Sequence, residues 1–572
     1  RYRKMNQISN QVFKFVALGG LDEDGKNCYI LEIDDDIFVI EAGLKYPDSY
    51  SPGVDYHIPD FQYLLNNKDR VRAIIVTHGH DDIFGSLPFL LEQIGAPCYL
   101  TKTTYTLCKS DYDGQFDFNK YKFHFIQPSD EIVISNRRFS LFSTTHSASD
   151  SFGFVLRTEL GNIVYTGDYI TDYTSIKHHI FDFAKVASIA NERNTLLLLS
   201  ESSGADKIGI CAPNHRLTPH IKTLVEEQSQ RLFIAVYSQN FYSIQEVIDL
   251  AIENNKKIVI VNERFAKALP EINQTDTLVF PRGTLIQANE AIRYSSRDII
   301  VLVLGTGEEL FDLITSLATG SYTDKTLYIK PDDRFVLACP PVPGTEKIAT
   351  DALDAVYQTG SEVLNLTRKQ ISSMHAHEED IKMMLALFKP KYFLPIKGEY
   401  RHLMQNAKIA LSTGLGFNYS NTIILDNGMQ ITIDSSKTLL PKINKVESGD
   451  LVVSGKVIAK NDGAILRERN RLADEGIVCL TVAVSSKQQR IISQPEIQMR
   501  GFIYLGDQRS VYQEIYQMFL DTIHELMAKR MMTTSDAEKK LVDKLGKYLT
   551  KQIKKNPYLE VNIINIDEKD IV

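Results

Sequence analysis

The feature that most constrains this chain is Val71-Arg72-Ala73-Ile74-Ile75-Val76-Thr77-His78-Gly79-His80-Asp81-Asp82-Ile83. It opens as an apolar, β-branched run, the pattern of a buried strand. At Gly79 it breaks into a loop carrying two histidines and two aspartates. Two imidazoles at spacing two, just past a strand end, can turn toward one point and share a metal ion. Asp82 follows closely enough to serve a second ion beside the first. Ser86-Leu87-Pro88 then reads as a helix start, with a serine cap and proline in the first turn.

At 572 residues, 43% hydrophobic and 24% charged, the chain has globular composition and room for several domains. Its longest apolar runs, such as Ile299-Ile300-Val301-Leu302-Val303-Leu304, fall far short of the ~20 residues of a membrane span. No secretion signal is legible. The six cysteines are scattered without a Cys-x-x-Cys pair, which points to reduced, mostly buried thiols in the cytoplasm. A net charge of −8 gives no global attraction to nucleic acid, so RNA binding would need a local groove.

Around this loop, strand patterns recur at residues 11–17, 27–33 and 37–40, the last ending at Glu41. A strand at 139–143 leads to His146, and another at 162–165 ends in Gly167-Asp168. A third, 195–199, leads to Glu201-Ser202-Ser203. Residues 204–350 then show a βαβ rhythm, the sign of a parallel sheet. Gly305-Thr306-Gly307-Glu308-Glu309 lacks the spacing of a phosphate loop and reads as a strand-to-helix turn. Ser373-Met374-His375-Ala376-His377 precedes an amphipathic helix, and Lys391-Tyr392-Phe393-Leu394-Pro395-Ile396-Lys397-Gly398-Glu399-Tyr400-Arg401 reads as a strand and loop. Ser535 and Glu538 have capping-box spacing before a helix with Leu541, Leu545, Leu549 and Ile553 on one face. The other face carries Lys539, Lys540, Lys544, Lys547, Lys551, Lys554 and Lys555, a solvated face or an RNA contact.

Together these motifs resemble the metallo-β-lactamase superfamily and, within it, the β-CASP group and the ribonuclease J family. The resemblance implies an α/β fold: an αββα sandwich with an inserted α/β domain and a small α/β C-terminal domain. It implies a metallo-β-lactamase part at 1–203 and 351–434, the insertion at 204–350, a linker at 435–450 and a C-terminal domain at 451–572. Arg500-Gly501-Phe502-Ile503-Tyr504 resembles that family's C-terminal domain.

Carried over residue by residue, the resemblance assigns a first metal to His78, His80, His146 and Asp168. A second would take Asp82, Asp168 and the residues at 83 and 397. Here those are Ile83 and Lys397, where the family has histidine. Glu41 stands for the usual aspartate, and Met374 for a glycine, where its thioether would crowd the nucleotide path. His375 matches the proton donor to the leaving oxygen, with Asp82 beside the metals as a catalytic residue. Ser373, His375, Glu201 and Ser202 match substrate-binding positions.

Two carboxylates make a poor zinc site, so one divalent ion per chain, zinc or manganese, is expected, with the second absent. Lys397 either replaces that ion electrostatically, pairing with Asp82 and Asp168, or extends to solvent. The implied function is a ribonuclease J-like protein of RNA processing and decay. Its own 5′→3′ exonuclease activity would be weak or absent. It would bind single-stranded RNA and oligomerise, with itself or with an active ribonuclease J paralogue. Two alternatives stand beside this: a non-catalytic structural subunit, and a competent zinc nuclease that recruits a substitute ligand such as His377.

Overall fold

The computed structural model describes residues 10–48, 51–174, 176–460, 463–502, 508–529 and 534–567. Ile503 and Tyr504 of the Arg-Gly-Phe-Ile-Tyr segment lie outside the described residues. The chain forms two compact units: Arg1–Asp48 with Asp55–Lys460, and Ser49–Val54 with Asn461–Val572.

The first unit is built on two facing sheets. One has eight strands, running Asn444–Lys445, Met429–Ile433, Phe13–Gly19, Cys28–Ile33, Asp36–Ile40, Val71–Ile75, Cys98–Leu100, Phe123–Phe125. The other has six, running Tyr392–Ile396, Thr195–Glu201, Gly161–Tyr165, Phe152–Thr158, Arg137–Ser143, Glu131–Ile134. Side chains alternate across each strand. Phe13, Phe15 and Ala17 enter the core between the sheets, with Phe38, Ile75, Phe154, Leu197 and Leu394. Val16 and Leu18 point the other way, onto the layer holding the helix Leu87–Ile94. On the far side, Val164, Leu198 and Phe393 pack against Val186, Ile381, Leu385 and Ile409 of three helices. The result is an αββα sandwich.

Between the strands Thr195–Glu201 and Tyr392–Ile396 the chain inserts a second α/β layer. Its six strands run Leu285–Ile286, Lys257–Val261, Ile299–Gly305, Leu232–Tyr237, Arg334–Leu337, Glu362–Asn365, and every pairing is parallel. The Gly305-Thr306-Gly307 turn joins a strand to the helix Gly307–Thr319, with Thr306 and Glu309 forming its capping box.

The expected linker at 435–450 differs from what is seen. Asn444–Lys445 extends the eight-stranded sheet, and Asp450–Ser454 pairs antiparallel with Tyr56–Pro59. Backbone hydrogen bonding thus carries the first unit on to Lys460.

In the second unit, the strand Ile477–Ser485 pairs with Arg490–Ile491, Glu496–Arg500 and Tyr558–Asn565. Val478, Leu480, Val482 and Val484 are buried against Ile515, Phe519, Ile523, Leu541, Leu545 and Leu549 of the helical layer. The helix Thr534–Tyr548 already includes Ser535, so the expected capping box does not form there; Glu538 instead accepts from the Ile563 amide at 3.0 Å. All six cysteines are free, five of them buried. Among the described residues, no helix is long and apolar enough to cross a membrane.

Candidate metal centre

Parallel strands end together, so the loops that follow them meet at one edge of the sheets. Val71–Ile75 delivers His78 and His80, Gly161–Tyr165 delivers Asp168, Thr195–Glu201 ends in Glu201, and Tyr392–Ile396 leads to Lys397. The antiparallel strand Arg137–Ser143 brings His146 to the same edge.

His78, His80, His146 and Asp168 converge, with one donor atom from each lying within 4.8 Å of the others. His146 Nε2 is 3.2 Å from His80 Nδ1, and Asp168 Oδ2 is 3.4 Å from His78 Nε2 and 3.5 Å from His146 Nε2. The outer bonds set the tautomers. His146 Nδ1 lies 2.7 Å from the Met374 carbonyl, which can only accept, so Nδ1 carries the hydrogen and Nε2 the lone pair. Thr77 gives its hydroxyl hydrogen to Glu41 at 2.6 Å and so accepts from His78 Nδ1 at 3.0 Å. His78 Nε2 is then a buried lone pair with no hydrogen-bond partner. His80 Nε2 faces the Ser147 hydroxyl at 3.3 Å. Burial pushes His80 down to about 3 and His146 well below the usual histidine range, so both rings are neutral, the form that ligates. An orphaned nitrogen, neutral rings and one carboxylate fit a divalent cation.

The second half of the site is different. Lys397 is 3% exposed, and its ammonium contacts Asp168 and lies 2.8 Å from Asp82 Oδ2. Burial opposes its charge, but Asp168 and Asp82 outweigh burial and hold it charged well above the usual lysine range. Burial would likewise raise both carboxyls, but Lys397 together with the neighbouring histidines outweighs it and draws both below the usual range. Lys397 therefore does not extend to solvent. Its left-handed backbone, φ 56°, and the amide of Ser202 on its carbonyl (3.1 Å) fix the turn that aims it inward. Ile83 is fully buried in the apolar layer beneath the loop, with its carbonyl accepting from Ala42.

His375 Nδ1 meets Glu201 Oε2 at 2.7 Å. Burial lowers the ring's affinity for a proton, but Glu201 outweighs it and raises the value to about 9, so His375 is protonated at neutral pH. Glu201 and Ser202, expected as substrate contacts, are both engaged within the protein. Glu201 is buried, and its Oε1 accepts from the amides of Tyr169 (3.1 Å) and Ala376 (3.0 Å). Ser202 is buried and accepts from Asn406. Glu201 thus ties His375 to two loops, and Ser202 ties the end of its strand to the helix Tyr400–Ser412. Ser373 uses its carbonyl to accept from His375 N at 2.9 Å. Met374 also departs from expectation: its thioether packs among Ile170, Cys211 and Tyr242 rather than crowding the nucleotide path. His377 caps the helix Glu378–Phe388 and belongs to neither group of converging metal donors. Glu41 is fully buried and holds the Thr77 amide and hydroxyl and the Tyr165 hydroxyl; burial, against those bonds, raises it to about 8.

Several supporting residues escape sequence reasoning. Asn27 donates to Asp82 at 3.1 Å, and Thr77 relays Glu41 to His78. Asp380 accepts from the amides of Thr171, Cys211 and His377 at 2.9, 3.2 and 2.9 Å. The only local signal for Asp380 is its place in an acidic first helical turn.

Comparison with known proteins agrees with this architecture. The chain matches four family models: Metallo-beta-lactamase superfamily over residues 21–199, Ribonuclease J, beta-CASP domain over 229–356, Zn-dependent metallo-hydrolase RNA specificity domain over 363–416, and Ribonuclease J C-terminal domain over 464–566. These matches imply use of a divalent metal. Ribonuclease J 2 of Staphylococcus epidermidis is 30% identical over 550 residues, 96% of this chain and 98% of that protein. Ribonuclease J 2 of Staphylococcus aureus is 28% identical over the same span. A crystal structure of a protein of unknown function from Enterococcus faecalis V583 shares the fold, with a TM-score of 0.51 at 15% identity over 74% of this chain and all of that one.

Proposed function

Starting from the chain's membership of the ribonuclease J family, as a ribonuclease J-like RNA-processing protein, we propose that its own hydrolysis of RNA is weak or absent. It works in RNA maturation and decay by holding single-stranded RNA and assembling with an active paralogue. The observation that carries this reading is the Lys397 ammonium on both Asp82 and Asp168.

Two-ion phosphodiester hydrolysis uses cations roughly 3.5–4 Å apart to activate water and to stabilise charge on the phosphate. This chain retains donors for one ion: His78, His80, His146 and Asp168. At the second position, Ile83 cannot ligate and Lys397 repels a cation. The tethered ammonium neutralises Asp82 and Asp168 as a second ion would, but it carries no exchangeable water. His375 keeps its place. With Nδ1 given to Glu201, its remaining nitrogen can supply a proton to a leaving oxygen.

The test is hydrolysis by the purified chain of a 5′-monophosphorylated single-stranded RNA in Mg²⁺, Mn²⁺ or Zn²⁺. A His78→Ala, His146→Ala variant controls for contaminating nuclease. The expected result is no mononucleotide release above that control, or a trace lost with it. Rapid release that the double variant abolishes would refute the reading.

A further inference from the structure

We propose that a cleft in the first unit, at the opposite end of the strands from the metal centre, binds a nucleoside monophosphate. Its phosphate meets Lys389, Lys391 and Lys437, and its nucleoside packs against the ends of two helices. The site is independent of whether the metal centre hydrolyses RNA.

Strand direction places the cleft. Thr195–Glu201 and Tyr392–Ile396 run parallel, and their far ends lead to Glu201 and Lys397. The cleft lies at their starts, where Thr195, Leu196 and Lys391 line it. Seven residues of extended strand set it roughly 20 Å from Glu201. The last turns of the helices Phe183–Glu192 and Glu378–Phe388 form its walls. Its volume is about 470 Å³, within the range of small-molecule sites.

The charge of the cleft has one sign. Lys389, Lys391 and Lys437 line it, and no carboxylate does. Asp434, whose charge Lys391 feels, is engaged by Ser436 and Thr438. Lys391 Nζ donates to the Lys437 carbonyl at 2.6 Å, beside the Tyr392 hydroxyl at 3.2 Å. These bonds fasten the Lys437 turn to the strand and leave the Lys391 ammonium two hydrogens for an anion.

A bare anion does not suit the rest of the cleft. Helix carboxyl ends carry partial negative charge, and their last carbonyls seek donors. Lys389 caps Glu378–Phe388 in the left-handed conformation, φ 41°, with its amide on the Leu385 carbonyl. Arg193, after Phe183–Glu192, is extended, so that helix has no capping turn over its last carbonyls. Thr195 is 4% exposed, and its hydroxyl has no hydrogen-bond partner. A buried polar atom of this kind calls for a ligand or a water. Ala187, Ala190 and Leu387 add an apolar wall. The fitting occupant therefore combines hydroxyl or amino donors, an apolar ring and an anionic group. A nucleoside monophosphate has all three, whereas inorganic phosphate has one.

The test titrates AMP into the full chain by calorimetry, with and without saturating 5′-monophosphorylated single-stranded RNA. The expected result is one saturable site that RNA leaves unchanged. Adenosine and inorganic phosphate each bind at least about tenfold more weakly than AMP. Lys391→Gln with Lys437→Gln weakens AMP about tenfold, and Thr195→Val about threefold. The melting temperatures of these variants stay at the wild-type value, and Lys389→Gln serves as the second probe if one of them misfolds.

Four results would each overturn the proposal. They are no saturable AMP binding, AMP affinity unchanged in the lysine variants, displacement of AMP by RNA, and inorganic phosphate binding as tightly as AMP. Displacement by RNA would place the nucleotide in the RNA-binding cleft, and tight inorganic phosphate would leave a simple anion site.

Discussion

At the scale of single residues, Lys397 decides what this site can do. Removing one partner of a buried ion pair strands the other, at a cost of about 3–5 kcal/mol. Lys397→Met leaves Asp82 and Asp168 facing each other without a counter-charge, so denaturant unfolding should show a loss of that order. An unchanged unfolding midpoint would mean that the ammonium does not hold these carboxylates. The ligand residues were readable because each follows a strand-like run, and the resemblance ordered them. The residues that orient them were not. His146 is held by the Met374 carbonyl, 228 positions away, and a backbone oxygen leaves no mark in a sequence. Asn27 on Asp82 is hidden for a related reason, since a contact across 55 residues needs the folded sheet to bring it together. Glu201 and Ser202 show the limit from another side. Their position at a strand end was legible, but their burial was not.

At the scale of elements, two buried carboxylates staple the loop after Gly161–Tyr165 to the loop before the helix Glu378–Phe388. Glu201 takes the amides of Tyr169 and Ala376, and Asp380 those of Thr171 and His377. Asp380→Asn puts an amide donor against amide donors. Hydrogen bonds to a charged group contribute roughly 1.5–3 kcal/mol each, so stability should fall by about 3 kcal/mol. Zinc affinity should fall about 10–100-fold, because Asp168 lies on the stapled loop. A lower melting temperature with unchanged affinity would leave Asp380 a purely structural cap.

The contact between the helices Lys102–Asp111 and Glu263–Asn273 carries a pH signature. Burial, and then neighbouring Asp81, raise Asp111 to about 8 against the pull of Arg264. Between about pH 4 and pH 8 the unfolded chain has released this proton and the folded chain retains it. Stability therefore falls as pH rises through that window, and the loss is complete above the folded value. Asp111→Asn should flatten that part of the stability profile, as followed by urea unfolding at several pH values. A profile parallel to wild type would contradict the assignment.

At the scale of the whole molecule, the fold class was legible because strand periodicity, the βαβ rhythm and the motif order all agreed. The end of the first unit was not, because short strands such as Asn444–Lys445 and Asp450–Ser454 sit in polar sequence and are recruited by sheet edges far away in the chain. The lysine-rich helix shows the same gap. Lys540 and Lys544 share Glu525 with Lys529, Lys547 pairs with Asp543, and Lys555 with Glu475, so part of that positive face is engaged within the protein. Replacing Lys539, Lys551 and Lys554 with glutamine should change RNA affinity by less than about twofold and leave its salt dependence unaltered, as a face without phosphate contacts requires. A tenfold loss with a shallower salt slope would place RNA on this helix.

The most direct test of the account counts metal ions. The purified chain would be equilibrated with excess Zn²⁺ or Mn²⁺, freed of unbound metal and analysed by native mass spectrometry. One zinc per chain, with no second ion at any concentration, is the expected result, since the ammonium of Lys397 already sits between Asp82 and Asp168. Two ions bound per chain would contradict the account, because a second cation can enter only if Lys397 leaves.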